Sequence, residues 1–199
     1  NVDVTLSIGN RQEIGTALRG YDLDFAIMGR PPADIDMDVH LIGDHPHVII
    51  APTSHRLARK SRIALADLAE ETFLMREPGS GTLAALDEYM TAHHMKARVA
   101  MQMSSNEAIK QAVMAGMGIS LLSLHTLGLE LDHGLIAVPE VEGLPVMRRW
   151  HVVNNLSKTL SPAAEAFRYF ILERGESFLA EQFARHDVAH TGKPLAQEA

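Results

Sequence analysis

Residues 77–82, Glu-Pro-Gly-Ser-Gly-Thr, have the composition of a ligand-binding turn. They follow a short apolar run at residues 73–76 and precede an apolar repeat with helical spacing that begins at Leu83. The glycines let the backbone turn its N–H groups toward one point, and Ser80 or Thr82 can cap the following helix. Because the N–H groups and the dipole of a helix N-terminus attract negative charge, this turn favours a small anionic ligand.

Two basic side chains are placed where they could meet the same negative charge. Arg30 follows the apolar run 25–28, and a proline pair after it fixes its loop. Its guanidinium can fork onto a carboxylate or phosphate of a ligand, which we favour over a structural salt bridge. Lys110 lies one turn into a predicted helix that begins after Ser104, and its ammonium could support the same charge.

The predicted elements place these residues at one kind of position. Short apolar runs with strand character alternate with helical repeats, which is typical of α/β folds with parallel sheets and helices on both faces. Such sheets bind ligands outside the carboxyl ends of their strands. The candidate ligand-binding residues in the turns after predicted strands are Asn10, Arg30, Gly79, Ser80, Gly81, Thr82, Ser104, Ser105 and Asn106, and Lys110 joins them from the helix. Arg11, beside Asn10, is a further candidate.

The bounds of the elements follow from periodicity and capping residues. We expect strands at residues 2–8, 25–28, 39–42, 47–51, 73–76, 99–103, 119–122 and 149–153. We expect helices after a capping box from Asn10 to Glu13, after residues 77–82, after a capping box from Ser104 to Glu107, and from Pro162 to a stop at Gly175. The tail can continue as a helix to about His186, and residues from Asp187 onward have the composition of a loose end.

Two other patterns have structural explanations that we favour. Gly116-Met117-Gly118 resembles half of a dinucleotide-binding fingerprint, but it ends a predicted helix instead of beginning one, so we interpret it as a C-cap. His45 and His47 flank a proline and could form a metal pair, but no third ligand has suitable spacing, which favours surface or structural histidines. We therefore expect neither a metal nor a cofactor.

The composition limits the classes of function. The chain has 199 residues, a formal net charge of −7 and no cysteine. An acidic chain is a poor direct binder of nucleic acid, and the lack of thiols excludes disulfides and cysteine nucleophiles. No apolar run is long enough to span a membrane and no signal peptide begins the sequence, so we expect a cytoplasmic protein without a membrane partner.

The sequence resembles the effector-binding part of LysR-type transcriptional regulators. The segments that carry the resemblance are residues 23–27 (LDFAI), 51–58 (APTSHRLA) and 104–119 (SSNEAIKQAVMAGMGI). Residues 24–32 (DFAIMGRPP) and 73–82 (FLMREPGSGT) narrow it to the regulators of RuBisCO and Calvin-cycle operons. The resemblance covers roughly residues 1 to 175.

The resemblance implies two Rossmann-like α/β lobes of periplasmic-binding-protein type II, joined by crossover strands. The effector, a phosphorylated metabolite or NADPH, would lie between lobe I (residues 1–46 and 149–199) and lobe II (residues 47–148). The first strand and helix of such a domain are expected to be missing. The helix-turn-helix through which the full regulator binds DNA is also expected to be absent from this chain. The family further implies self-association as a dimer or tetramer.

Two other hypotheses use the same fold. One is a solute-binding protein of a transporter. The other is an enzyme, which would need a convergent acid–base pair, or a cofactor lysine or cysteine, at the strand ends. Cysteine is absent and the carboxylates are dispersed, so no catalytic residue is expected. The favoured hypothesis is a non-enzymatic sensor that binds a small anionic metabolite and controls transcription, in particular of carbon-fixation genes.

Overall fold

Strands and helices alternate along the chain, as predicted. A computed structural model describes residues 2–184, with side chains placed from residue 2 to residue 181. The helices are α1 (Arg11–Arg19), α2 (Leu65–Ala69), α3 (Gly81–Ala92), α4 (Asn106–Met114), α5 (Gly128–Asp132) and α6 (Pro162–Ala184). The strands are β1 (Ala26–Met28), β2 (Met37–Pro52), β3 (Thr72–Arg76), β4 (Arg98–Met103), β5 (Ser120–Ser123), β6 (Ile136–Ala137) and β7 (Val146–Asn155). Short 3₁₀ turns lie at Arg56–Arg59 and Leu124–Thr126.

The strands form one larger sheet and a separate parallel pair. The larger sheet has the order β1-β7-β2-β5, and β6 pairs with β2. The pairs of β1 with β7, and of β2 with β5 and β6, are antiparallel, whereas β3 and β4 are parallel. The prediction of parallel sheets alone was therefore wrong. A helix that connects two strands makes them parallel only when those two strands are neighbours in the sheet. Here β1 pairs instead with β7, which lies far along the chain.

Residue contacts divide the chain into two units, and the first contains the described residues up to Asp44, with Gly79–Gly81 and Arg148–Glu181. Its core forms where α1 packs beside β1 and β7. Leu18 of α1 is fully buried there, and this burial contributes about 2 kcal/mol to stability. The strands β2 and β7 each contribute residues to both units.

The second unit contains His45–Pro78 and Thr82–Met147, and its core is organised around β3. Alternate residues of a strand point to opposite faces, and here Phe73 joins one apolar cluster while Leu74 joins another. α3 supplies Leu86 to the cluster around Phe73, and α4 supplies Ile109 to the cluster around Leu74. Helices therefore cover both faces of β3, as the sequence predicted. The predicted lobe boundaries stay predictions, since they include residues outside the described part of the chain.

Residues 2–8 do not form the predicted strand. A strand satisfies its backbone N–H and C=O groups by pairing with a neighbour, and within residues 2–184 no strand pairs with this segment. The alternation of apolar and polar residues was therefore an insufficient signal by itself. Its apolar side chains are exposed: Val2 67%, Val4 71%, Leu6 82% and Ile8 90%.

Two other element bounds were also wrong. β2 is one strand of 16 residues where two were predicted, because an extended backbone continues through residues 43–46 despite their glycine and proline. α6 continues past Gly175 instead of stopping there. A Cβ at Gly175 would lie 3.3 Å from the Cβ of Ile42, so this glycine allows close packing of α6 on β2. The predicted loose end from residue 187 lies outside the described residues.

The interpretation of Gly116-Met117-Gly118 as a helix end is confirmed. Ala115 is the C-cap of α4, and Gly116 follows with a φ of 79°. The N–H of Gly116 donates to the carbonyl of Val113, and the N–H of Met117 donates to the carbonyl of Ala112. These two hydrogen bonds are those of a Schellman motif, which satisfies the last carbonyl groups of a helix.

Candidate functional site

The first candidate group lies at the N-terminus of α1. The Oδ1 atom of Asn10 accepts hydrogen bonds from the backbone N–H groups of Gln12 and Glu13, each at 3.0 Å. The Glu13 carboxylate accepts the N–H of Asn10 at 2.9 Å, which completes the capping box that the sequence predicted. The Oδ1 atom of Asn10 is therefore used inside the protein, and its amide nitrogen is the atom left to act as a donor toward a ligand.

Gly79 lies against the same helix N-terminus. It has a φ of 88°, and a Cβ there would lie 2.7 Å from Oε1 of Gln12 and 3.6 Å from Oδ1 of Asn10. Only glycine combines this backbone conformation with so close an approach. The structure thus brings together Asn10 and Gly79, two of the predicted site residues, from distant parts of the sequence.

Arg30 is joined to this helix through its backbone. Its carbonyl accepts a hydrogen bond from Nε of Arg11 at 2.9 Å, and its side chain is exposed. The loop after β1 is therefore fixed to the first residue of α1. The contact uses the carbonyl of Arg30 and not its guanidinium, so ligand contact by that guanidinium stays a prediction.

A cleft of about 350 Å³ follows α1 from this point. Arg11 and Arg19 bring cationic groups to it. Arg19 is paired with Asp34 at 2.8 Å, and this hydrogen bond lowers the pKa of Asp34 below its ordinary value of 3.8. The cleft can therefore attract a negatively charged group, most strongly near Arg11. Its lining residues are Arg11, Gln12, Gly15, Thr16, Arg19, Pro32, Asp34 and Gly79.

Of the residues that line this cleft, only Arg11 and Gly79 were predicted from the sequence to contact a ligand. Arg11, Gly15 and Arg19 recur every four residues, so they lie on one face of α1. That spacing indicates a shared face of α1. The prediction of this helix was based instead on the apolar residues Ile14 and Leu18. The face of α1 that lines the cleft is more polar and lies next to this apolar face.

The second candidate group lies at the end of β4, where the chain turns into α4. Ser105 is the N-cap of α4, and its hydroxyl oxygen accepts the N–H of Ala108 at 3.1 Å. The predicted capping box from Ser104 to Glu107 is therefore wrong by one residue. The Glu107 carboxylate instead lies 2.8 Å from the Lys110 ammonium, because the i to i+3 spacing places the two side chains on one face.

Arg76, the last residue of β3, is the centre of this second group and was not predicted. Its Nη1 donates to Oδ1 of Asn106 at 2.5 Å, and its Nη2 donates to the carbonyl of Ser104 at 3.4 Å. Its Nε and Nη2 also bind both carboxylate oxygens of Glu77, at 2.8 and 3.0 Å.

Lys110 is turned toward the protein interior. Its ammonium lies 2.8 Å from Glu107 and 2.8 Å from Glu130, and it donates to the carbonyl of Thr126 at 3.2 Å. Burial lowers the pKa of Lys110, but the hydrogen bonds and charges of the two carboxylates outweigh it and raise this pKa above 10.5. All three ammonium protons have acceptors within the fold, so a role in ligand binding stays a prediction.

The remaining predicted residues lie at the start of α3. Gly81 begins the helix, and a Cβ on it would meet no atom within 4 Å. Ser80 directly before it is buried, whereas Thr82 is half-buried in the first turn of the helix. Ser80 and Gly81 belong to the first unit with Gly79, and Thr82 belongs to the second unit with Ser104, Ser105 and Asn106.

The described part of the chain gives little support to other kinds of site. No group of three or more His, Asp or Glu side chains among residues 2–181 could hold a metal ion. The rings of His45 and His47 lie 4.3 Å apart and both are buried, which agrees with the structural interpretation of this pair. None of the described helices combines the length and the apolar character needed to cross a membrane.

Comparisons with known proteins identify the family. The sequence profile of the LysR substrate binding domain matches residues 1–176. The chain is 48% identical over 184 residues to the HTH-type transcriptional regulator CfxR of Cupriavidus necator, covering 92% of this chain and 57% of that protein. It is 44% identical over 182 residues to the HTH-type transcriptional regulator CbbR of Xanthobacter flavus, covering 90% and 55%. The chain thus spans little more than half the length of these relatives.

A solved structure gives the same result for the fold. The regulatory domain of CcmR from Synechocystis PCC6803, solved in complex with 2-PG, is 37% identical with a TM-score of 0.82, and the match covers 87% of this chain and 83% of that one. This similarity confirms the predicted α/β fold of periplasmic-binding-protein type II. The chain is also 43% identical over 171 residues to the RuBisCO operon transcriptional regulator of Allochromatium vinosum, covering 86% of this chain and 57% of that protein, which confirms the predicted resemblance to such regulators. The chain belongs to the LysR substrate-binding domain family.

Proposed function

We propose that this chain is the effector-sensing part of a LysR-type regulator of carbon-fixation genes, and that its effector is a small phosphorylated carboxylate of the 2-phosphoglycolate (2-PG) type. The similarity to the CcmR regulatory domain, solved with 2-PG, carries this proposal. The curated relatives CfxR and CbbR support the same class of regulator. No relative among them is a transport protein, so the solute-binding hypothesis is not favoured.

The geometry of α1 supports an anionic effector. The cleft along this helix has Arg11 beside the helix N-terminus, where the helix dipole also favours negative charge. Gly79 comes close enough to this N-terminus for a ligand to contact both segments. Phosphate and carboxylate oxygens are acceptors only, and they match a site that offers guanidinium and amide donors.

The turn before α4 supports the same class of ligand. Ser105 uses its hydroxyl oxygen as an acceptor for the helix N-terminus, so its hydroxyl hydrogen is available to donate. We propose that the predicted residues Asn10, Arg30, Gly79, Ser80, Gly81, Thr82, Ser104, Ser105 and Asn106 take part in effector binding, and that Arg11 joins them.

The partners of the whole regulator follow from its family. We infer that the full-length protein self-associates, binds DNA through a helix-turn-helix and acts in the cytoplasm, where its target genes lie. We also infer that the chain binds its effector without catalysis. An effector controls such a protein through its difference in affinity between two conformations of the regulator.

Isothermal titration calorimetry of the chain with 2-phosphoglycolate tests the proposal. Glycolate, inorganic phosphate and NADPH serve as comparison ligands. We expect 1:1 binding of 2-phosphoglycolate that is at least about tenfold tighter than binding of glycolate or phosphate, because each fragment makes only part of the contacts. Binding of NADPH alone would correct the effector. The lack of binding by any of these anions would overturn the sensor proposal.

A further inference from the structure

The most heavily bonded side chain of the second candidate group is Arg76. Only 12% of this side chain is exposed, and its carboxylate partner Glu77 is 21% exposed. Charge-assisted hydrogen bonds in such a shielded place are strong and hold a fixed geometry. Arg76 therefore fixes the end of β3 to the turn between β4 and α4.

The bond from Arg76 to Asn106 also sets the orientation of the Asn106 amide. A guanidinium has only donors, so the atom of Asn106 that faces it must be the carbonyl oxygen Oδ1. The NH₂ group of the same amide then points away from Arg76. Among the described residues, none accepts a hydrogen bond from this NH₂ group.

The orientation of the Asn106 amide decides which charge of a ligand it favours. An amide that presents its NH₂ group offers two donors, whereas the flipped amide would present an acceptor oxygen and repel an anion. The neighbouring Ser105 hydroxyl accepts the N–H of Ala108, which likewise leaves a hydrogen to donate outward. Both side chains of this turn are thus set as donors.

We propose that Arg76 is a positioning residue for effector binding: it holds the Asn106 amide so that its NH₂ group donates to a phosphate or carboxylate oxygen of the ligand. This inference rests on the proposed function, because it requires an anionic effector. Arg76 acts through Asn106, since four of its five N–H groups are directed to Asn106, Ser104 and Glu77.

Substitution Asn106→Asp separates this role from a purely structural one. An aspartate keeps an oxygen toward Arg76, forms an ion pair with it and carries a charge that suits the first turn of a helix. The melting temperature should therefore stay the same or rise. The affinity for 2-phosphoglycolate should fall by about tenfold or more, because the NH₂ donors are replaced by a negative charge.

Two variants of Arg76 complete the test, with calorimetry as the readout of affinity and circular dichroism as the check of folding. Arg76→Met should weaken 2-phosphoglycolate binding by about tenfold, and Arg76→Lys should recover part of that loss because it keeps one donor toward Asn106. Arg98→Met is the matched control: it removes the same charge from the opposite, exposed end of β4 and should bind like the unsubstituted chain.

The outcomes separate this inference from the proposed function. If the unsubstituted chain binds 2-phosphoglycolate but Asn106→Asp binds it equally well, Asn106 is not a donor to the ligand and the positioning role is overturned. If Arg76→Met is folded and binds normally, the role is overturned as well. If the unsubstituted chain binds none of the anions tested, the proposed function fails and this inference fails with it.

Discussion

Gly79 approaches α1 so closely that a Cβ on it would lie 2.7 Å from Oε1 of Gln12, although the two residues lie far apart in the sequence. The glycine-rich turn is therefore more than a connection between β3 and α3. It brings its backbone to the N-terminus of another helix, where an anion is favoured. The predictions below depend on this arrangement and on the ion pairs around α4.

Substitution Gly79→Ala should weaken effector binding and lower stability. The new methyl group would meet Gln12 and would sit on a residue with a φ of 88°, which costs about 1–2 kcal/mol. Thermal unfolding and calorimetric titration with 2-phosphoglycolate measure the two effects. Gly116→Ala is the matched control, because its φ of 79° carries a similar backbone strain while a Cβ there meets nothing within 4 Å. Equal behaviour of the two variants would contradict the importance of the close approach.

Substitutions of Asn10 should separate capping from ligand binding. Asn10→Ala removes the acceptor for two backbone N–H groups and should cost about 1 kcal/mol of stability. Asn10→Asp keeps the cap, so its stability should match that of the unsubstituted chain. Its added negative charge should nevertheless weaken 2-phosphoglycolate binding, most clearly at low ionic strength. Unchanged affinity in Asn10→Asp would remove Asn10 from the site.

The buried ion pair between Lys110 and Glu130 should matter for stability and little for binding. Lys110→Met leaves Glu130, only 4% exposed, without its cation and should cost about 3 kcal/mol in urea unfolding. The double variant Lys110→Met with Glu130→Leu should recover most of that loss, since it removes both charges. If the double variant is stable but has lost 2-phosphoglycolate binding, Lys110 acts on the effector after all.

The pair of Glu107 with Lys110 predicts a dependence of stability on acidic pH. The hydrogen bond from Lys110 lowers the pKa of Glu107 below its ordinary value of 4.5. A lowered pKa in the folded state stabilises the fold above pH 4.5, and this contribution is lost as the pH falls through the lower folded-state pKa. The stability difference between the unsubstituted chain and Glu107→Gln, from urea unfolding, should therefore shrink below pH 4.5. A constant difference down to pH 3 would contradict this.

Local signals in the sequence predicted most of the fold. The Asn10 capping box, the end of α4 at Gly116 and the buried faces of α3 and α4 each depend on residues that are close in the sequence. Signals that need a distant partner failed. Residues 2–8 alternate as a strand does but have no paired strand, and the antiparallel pairing of β1 with β7 joins segments separated by most of the chain.

The candidate site was predictable to the same extent. Turns after strands were identified from glycine and capping residues, and Asn10 and Gly79 do lie together. The spacing of residues in the sequence did not show the direction in which their side chains point. Lys110 has the position expected of a ligand-binding residue, but it points to Glu130, which could not be foreseen because Glu130 lies on a different helix, α5. Arg76 was missed because its partners, Ser104 and Asn106, become neighbours only through the pairing of β3 with β4.

The most direct test of the central claim is an NMR titration of the ¹⁵N-labelled chain with 2-phosphoglycolate. We predict saturable shifts of the backbone amides of residues 10–13 and 79–82, together with the side-chain amide of Asn106, while the amides of α5 remain in place. A titration in which no amide of these segments shifts, or in which the shifts cluster at α5 or α6, would contradict the account.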